Sequence, residues 1–238
     1  MAGAEFSMIK AVVFDVDNTL VDFLKMKYAA VDAAIEAMID AGLSINANKA
    51  RERIFRIYDE KGIEFQQVFD EFLAGVLDRI DYRILANGIL AYRRGREGVL
   101  VAYPHVNMAL MKLVRMGLKL GVVSDAPKLQ AWMRLCSLGI DNFFDAVVTF
   151  DDTMKRKPAP EPFEKALEML EVEAKEAVMV GDWAERDITG AKEIGMYTVF
   201  ARYGNTFGTE HSGADLEIND ILELVPFIER LNSKAKEG

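Results

Sequence analysis

Short apolar runs alternate with amphipathic helical patterns along this chain, and that alternation restricts its fold more than any other feature. The runs lie at Ala11–Phe14, Leu120–Ser124, Ala146–Thr149, Ala177–Gly181 and Tyr197–Ala201. From the second run onward, residues Lys128–Leu138, Glu161–Leu170 and Ala184–Ile194 carry apolar positions three or four apart, the helical period. Parallel strands need a crossover, so strands alternating with helices predict an α/β fold, a parallel sheet with helices on both faces. Ligands of such sheets gather beyond the carboxyl ends of the strands. Asp15, Ser124 and Asp182 all stand at such ends.

The stretch between the first two strands reads differently. From Phe23 to Gly98 it offers helical runs at Lys25–Ala41, Asn48–Tyr58, Phe65–Leu73 and Tyr82–Arg94, punctuated by Gly42, Gly62 and Gly75. Tyr28, Val31, Ile35 and Met38 share one helical face suited to a small bundle. The expected organisation is a core from residues 8–22 and 99–238, with residues 23–98 inserted as an α-helical cap. Helices packed directly on the sheet, forming no separate unit, are the alternative.

A chain of 238 residues, 51% hydrophobic and 28% charged, has enough apolar material for one large core with a smaller insertion. No uncharged apolar stretch reaches membrane-spanning length, so no membrane association is expected. Residues Met1–Ser7 lack the basic start and apolar centre of a signal peptide, and Met8 offers a second start. A net charge of −9 argues against a nucleic-acid partner. Arg93, Arg94 and Arg96 read as a solvated helix end in preference to an anion contact. Cys136 is the single cysteine, which suits a cytoplasmic setting, and its neighbours Leu129, Trp132, Met133 and Leu135 predict that it packs inside. Nothing in the sequence fixes the oligomeric state.

The chemistry concentrates in four segments. In Asp15-Val16-Asp17-Asn18-Thr19-Leu20, the period of two along a strand brings Asp15 and Asp17 out on one side. Crowded carboxylates repel unless a cation such as Mg2+ holds them or they share a proton; an Asx-type turn would account for the hexapeptide alone. The run Gly121–Asp125 ends in a hydroxyl and exposed amides that suit phosphate oxygens, or else a helix cap. In Lys155–Phe163 prolines fix a loop that presents Lys157 as a point charge, or forms a solvated basic turn. Residues Val178–Ala191 deliver Asp182 to the sheet edge and Asp187 to the next helix; capping of that helix by Asp182 is the simpler reading.

Taken in this order, from Met8 to about Leu231, the four segments resemble the haloacid dehalogenase superfamily, in particular its phosphatases with a helical cap. The resemblance implies a Rossmann-like core and a Mg2+-dependent hydrolase of small phosphorylated metabolites. It implies that Asp15 attacks phosphorus to form an aspartyl phosphate and that Asp17 serves as acid and base. Ser124 and the backbone of Asp125 would bind phosphate oxygens, and Lys157 would offset their charge. The implied metal ligands are Asp15, the Asp17 carbonyl and Asp182, with Asp187 in support. Three positions depart from the pattern. Asp125 stands where asparagine is frequent, Lys155 and Arg156 stand where a glycine is common before the Lys-Pro pair, and His105 replaces a common glycine where the chain returns from the cap, as a hinge or capping residue. A sugar-phosphate mutase and a non-catalytic phosphometabolite-binding module remain alternative functions.

Overall fold

The structure is a computed structural model that describes residues 7–237. The leader reading therefore falls, apart from Ser7, outside the described residues. Among those residues six strands form one sheet: β1 (Ala11–Phe14), β2 (Lys119–Val123), β3 (Ala146–Val148), β4 (Ala177–Gly181), β5 (Tyr197–Ala201) and β6 (Leu216–Ile218). Their order is β3-β2-β1-β4-β5-β6, with every neighbouring pair parallel. The chain builds outward from β1 to β3 and then returns to the other side of β1 for β4. That reversal opens a crevice at the carboxyl ends of β1 and β4.

Strands covered on both faces need apolar residues at every position, and Val12, Val13, Val122 and Val123 are all fully buried. Val and Ile are also the side chains that fit a pleated surface.

The chain divides into two compact units, one holding the sheet and one running Phe23–Leu100. The second unit consists of α1 (Phe23–Asp40), α2 (Ala47–Lys61), α3 (Val68–Leu77) and α4 (Tyr82–Val99). Its own core gathers Ile35, Met38, Ile54, Phe72 and Leu73. Asn46 caps α2 by accepting from the Asn48 N–H at 3.0 Å, and Asp81 caps α4 by accepting from the Arg83 N–H at 2.9 Å. Helix α4 continues past the Gly98 boundary read from sequence.

One inward position of α1 differs from expectation. Tyr28 is 46% exposed and rests on Phe55, while Lys27 is buried instead. Its ammonium donates to the Ile63 carbonyl at 2.8 Å and lies 4.1 Å from the Tyr58 ring centre, which makes burial of the charge tolerable. Of the three arginines read as a solvated helix end, Arg93 and Arg94 are exposed on α4 and Arg96 is half-buried.

In the sheet unit the helices are α5 (Val106–Arg115), α6 (Lys128–Leu138), the single turn α7 (Phe150–Thr153), α8 (Pro160–Leu170), α9 (Thr189–Glu193) and α10 (Leu224–Glu237). Phe163, Ala166 and Leu170 of α8 pack on Ala11, Val13 and Met179, one face of the sheet. Helix α5 packs against β2 and α10.

Cys136 corrects the sequence reading. It is exposed, because the buried face of α6 is Ala131, Arg134 and Leu135, and residue 136 falls on the far side together with Leu129. His105 precedes α5 with φ 65°; its side chain does not cap the helix and instead places Nδ1 2.5 Å from Asp220 Oδ2. Among the described residues no helix is long and apolar enough to cross a membrane.

Candidate active site

Asp15 extends β1 by one step, its N–H donating to the Val180 carbonyl at 2.9 Å, and so enters the crevice beside β4. Asp182 follows the last residue of β4 and accepts from the Thr19 hydroxyl at 3.1 Å. Asp187 comes from a π-helical turn, Ala184–Ile188, that precedes α9. Such wide turns are frequent at functional sites, and this one turns the Asp187 carboxylate back toward β4. Gly181 makes room for it: a Cβ there would lie 2.3 Å from the Asp187 carboxyl carbon. The result is a buried cluster in which one carboxylate oxygen from each of Asp15, Asp182 and Asp187 lies within 4.8 Å of the others.

Lys157 answers part of that charge. Its ammonium lies 2.6 Å from Asp15 Oδ1 and 2.6 Å from Asp187 Oδ1, and donates to the Val123 carbonyl at 3.1 Å. Burial disfavours the lysine's charge, but Asp15, Asp187 and Asp125 together outweigh it and hold the ammonium above its usual range. The carboxylates move the opposite way from their ordinary value. Burial pushes Asp15 up to about 7, with Lys157 opposing and Asp187 and Asp17 adding to the rise. Burial, then Asp15 and Asp187, push Asp182 up to about 9.

Three buried acids sharing one ammonium lack positive charge, and their donors are all oxygen. This is the donor set of a hard divalent cation, so Asp15, Asp182 and Asp187 fit a metal.

Asp17 stands outside that carboxylate cluster. Its side chain is 25% exposed, and its Oδ1 lies 3.0 Å from Nε of Arg134 on α6. Of the four acids read as metal ligands, three thus converge through carboxylates, while Asp17 points its side chain toward α6.

Ser124 is buried at the end of β2, donates its N–H to the Val148 carbonyl at 2.9 Å and accepts at Oγ from the Ala126 N–H at 3.2 Å. Neither Ser124 nor Asp125 caps α6, whose Lys128 N–H instead donates to Asp151 Oδ2 at 2.6 Å. The side chain of Asp125 accepts from the Lys157 N–H at 2.9 Å and pairs with Arg186 Nη1 at 3.0 Å. Those two contacts turn the Asp125 carboxylate toward Lys157 and Arg186. The Lys157–Pro158 peptide is cis. Arg156 lies over the Phe150 ring and Lys155 is exposed. Asp182 does not cap the following turn, and the Trp183 N–H before it donates to Asp187 Oδ2 at 3.0 Å.

Sequence reading missed Arg134, and also Arg186 with the aromatic stack it borders. Arg186 covers one face of the Trp183 ring, with Cζ 3.7 Å from the ring centre, and Phe207 stacks on Trp183 with centroids 3.9 Å apart. Alternating aromatic and cationic side chains near Asp182 were the available signal.

Residues 12–201 match the family model for haloacid dehalogenase-like hydrolases. The chain is 37% identical to glyceraldehyde 3-phosphate phosphatase of Methanocaldococcus jannaschii, over 94% of this chain and 99% of the relative. It is 35% identical to the enzyme of the same name from Pyrococcus abyssi, over 97% and 98%. Among solved structures it resembles a HAD phosphatase from Thermococcus onnurineus at 31% identity and a TM-score of 0.68, covering 92% of this chain and 98% of that one. The chain therefore belongs to the haloacid dehalogenase-like hydrolase family, and within it is a phosphoric monoester hydrolase.

Proposed function

We propose that the protein is a Mg2+-dependent phosphatase of small phosphate monoesters that works through an aspartyl phosphate on Asp15, and that glyceraldehyde 3-phosphate, the substrate in its relatives' names, is the first to test. The observation that carries this reading is the Asp15 carboxylate, buried at the mouth of β1 with Lys157 at 2.6 Å. Nucleophile and counter-charge meet there with little water to screen them.

The ammonium of Lys157 and the hydroxyl of Ser124 flank the bound phosphoryl group, joined by the backbone N–H of Asp125. An Asp15 carboxylate oxygen attacks phosphorus, the bond from phosphorus to the ester oxygen breaks, and Asp17 delivers a proton to the departing alkoxide. Water then attacks the aspartyl phosphate and gives its proton to Asp17. Phosphate leaves and Asp15 is restored. Asp15, Asp182 and the Asp17 carbonyl, with Asp187 behind them, are the residues that would hold Mg2+, which when bound supplies charge stabilisation of the phosphoryl oxygens. Asp125 and Arg186 fix the Lys157 backbone, and Asp187 fixes its ammonium, so the positive charge is in place before substrate arrives. A lone, unpaired cysteine fits a cytoplasmic setting.

The test is phosphate release from glyceraldehyde 3-phosphate by the parent and Asp15→Asn proteins, with Mg2+ or with EDTA. Release that needs Mg2+ and disappears in Asp15→Asn is expected. Release surviving Asp15→Asn would remove the aspartyl-phosphate mechanism, and conversion of a sugar phosphate without free phosphate would make the protein a mutase.

A further inference from the structure

Arg134 is 6% exposed, an uncommon state for an arginine, and its guanidinium stands on the same side of α6 as Ala131 and Leu135. Helix α6 begins shortly after the end of β2, and Arg134 stands in its second turn. From there Arg134 reaches Asp17, with Nε 3.0 Å from Oδ1. The two side chains differ in environment. That of Arg134 is 7% exposed, whereas that of Asp17 is 25% exposed. The arginine is thus the fixed partner, held by the helix that carries it, and the aspartate is the partner that meets the crevice.

We propose that Arg134 is a positioning residue for Asp17: it anchors Oδ1 from the α6 side and so directs Oδ2 toward the ester oxygen that must be protonated. The proposal rests on the reading of Asp17 as the general acid given above. An aspartate on a short stem rotates about two bonds, and an acid aimed wrongly by about 1 Å can lose on the order of 10²-fold in rate. Arginine suits the task because its rigid fork holds a carboxylate in a set direction, which the flexible ammonium of lysine does not.

The inference predicts a selectivity. Protonation matters for a poor leaving group, the alkoxide of an alkyl phosphate, and little for the nitrophenolate of an aryl phosphate. Both substrates share the later hydrolysis of the aspartyl phosphate, so kcat/KM, which reports the steps through its formation, is the quantity to compare. We would measure kcat/KM for glyceraldehyde 3-phosphate and for 4-nitrophenyl phosphate with the parent, Asp17→Asn, Arg134→Met and Arg134→Lys. The ratio of the two values within one preparation cancels the concentration of folded enzyme, so partial misfolding of a variant does not distort it.

The expected result is that Arg134→Met lowers the alkyl-to-aryl ratio by about 10–100-fold, in the same direction as Asp17→Asn. Arg134→Lys should restore part of it. An unchanged ratio in Arg134→Met beside a depressed ratio in Asp17→Asn would overturn the positioning role while leaving Asp17 as the acid. An unchanged ratio in Asp17→Asn would remove the acid role, and the proposal with it. If Arg134→Met yields no soluble protein, the Arg134→Lys ratio decides: a parent-like ratio counts against the directional fork.

Discussion

Gly204 is the residue at which a single methyl group should do most damage. It closes the turn after β5, and a Cβ built there falls 1.7 Å from the Asn18 carbonyl oxygen, 2.8 Å from its carbonyl carbon and 3.0 Å from Asp182 Cβ. Ordinary contact begins near 3.4 Å, so about 1.7 Å of separation must open. Neither side yields easily. Asn18 is held with φ 60° by its N–H bond to the Val21 carbonyl at 2.7 Å, and the Tyr203 hydroxyl donates to the Thr19 carbonyl at 2.9 Å. The segment displaced is the one that carries Asp17. Overpacking of this kind costs about 1–3 kcal/mol, equivalent in a chain of this size to roughly 2–12 °C in Tm. A shift of about 1 Å in reacting groups costs on the order of 10²-fold in rate. Thermal unfolding and kcat/KM of Gly204→Ala measure both. Gly75→Ala on α3, where a Cβ meets nothing within 4 Å, is the control and should leave kinetics alone while stabilising by up to ~1 kcal/mol. A Gly204→Ala protein with the parent's Tm and with kcat/KM within about twofold would refute the close approach of the two loops.

Three other outcomes follow from the same geometry. Lys157→Met strips the ammonium from Asp15 and Asp187 and should cost on the order of 3–5 kcal/mol at alkaline pH; urea unfolding near pH 8 that shows under ~1 kcal/mol would contradict it. Asp15 and Asp182, raised from 3.8 to about 7 and about 9 without metal, keep protons in the folded state that the unfolded chain has released. Their stabilising contribution is therefore complete below 3.8 and lost as pH climbs through 7 and then 9. EDTA-treated protein should lose Tm across that window, and Mg2+ should restore more of it near pH ~9 than near pH ~5.5, where protons compete for the same oxygens. Equal Mg2+ shifts at both pH values would count against these ligands. Finally, Asp125→Asn keeps an acceptor for the Lys157 N–H and should cost under about threefold in kcat/KM, whereas Asp125→Ala loses both partners and should cost about 10–100-fold; a silent alanine variant would dismiss the brace.

How much could be read from the sequence depended on whether the relevant interaction was local. Strands β1 and β4 were legible because burial on both faces forces unbroken apolar runs, and Asp15 and Asp182 were legible because they end those runs. The direction of the Asp125 side chain was not legible, since its partners Lys157 and Arg186 come from two other connections of the sheet. The wide turn at Ala184–Ile188 was also hidden: its pattern reads as ordinary helix, and the Gly181 space that admits Asp187 has no trace in local propensity.

Helix phase is where sequence reading went astray, and both errors have one cause. On α1 the apolar face was drawn to include Tyr28, and on α6 Cys136 was placed inside among Leu129, Trp132, Met133 and Leu135, because both assignments rested on hydrophobic residues alone. Each helix instead turns a cation inward, Lys27 at 4% exposure and Arg134 at 6%. A long charged side chain on an apolar face is buried only where a partner waits, and here the partners are the Ile63 carbonyl with the Tyr58 ring, and Asp17. Ala30, Ala34 and Ala131 give the clue: small residues beside Lys27 and Arg134 mark the closely packed side of each helix, while Tyr28 on α1 and Leu129 and Met133 on α6 lie outside it. A cation in register with buried alanines therefore deserves to be read as a placed charge before it is read as a solvated one. In α6 that criterion leads from Ala131 to Arg134 and on to Asp17.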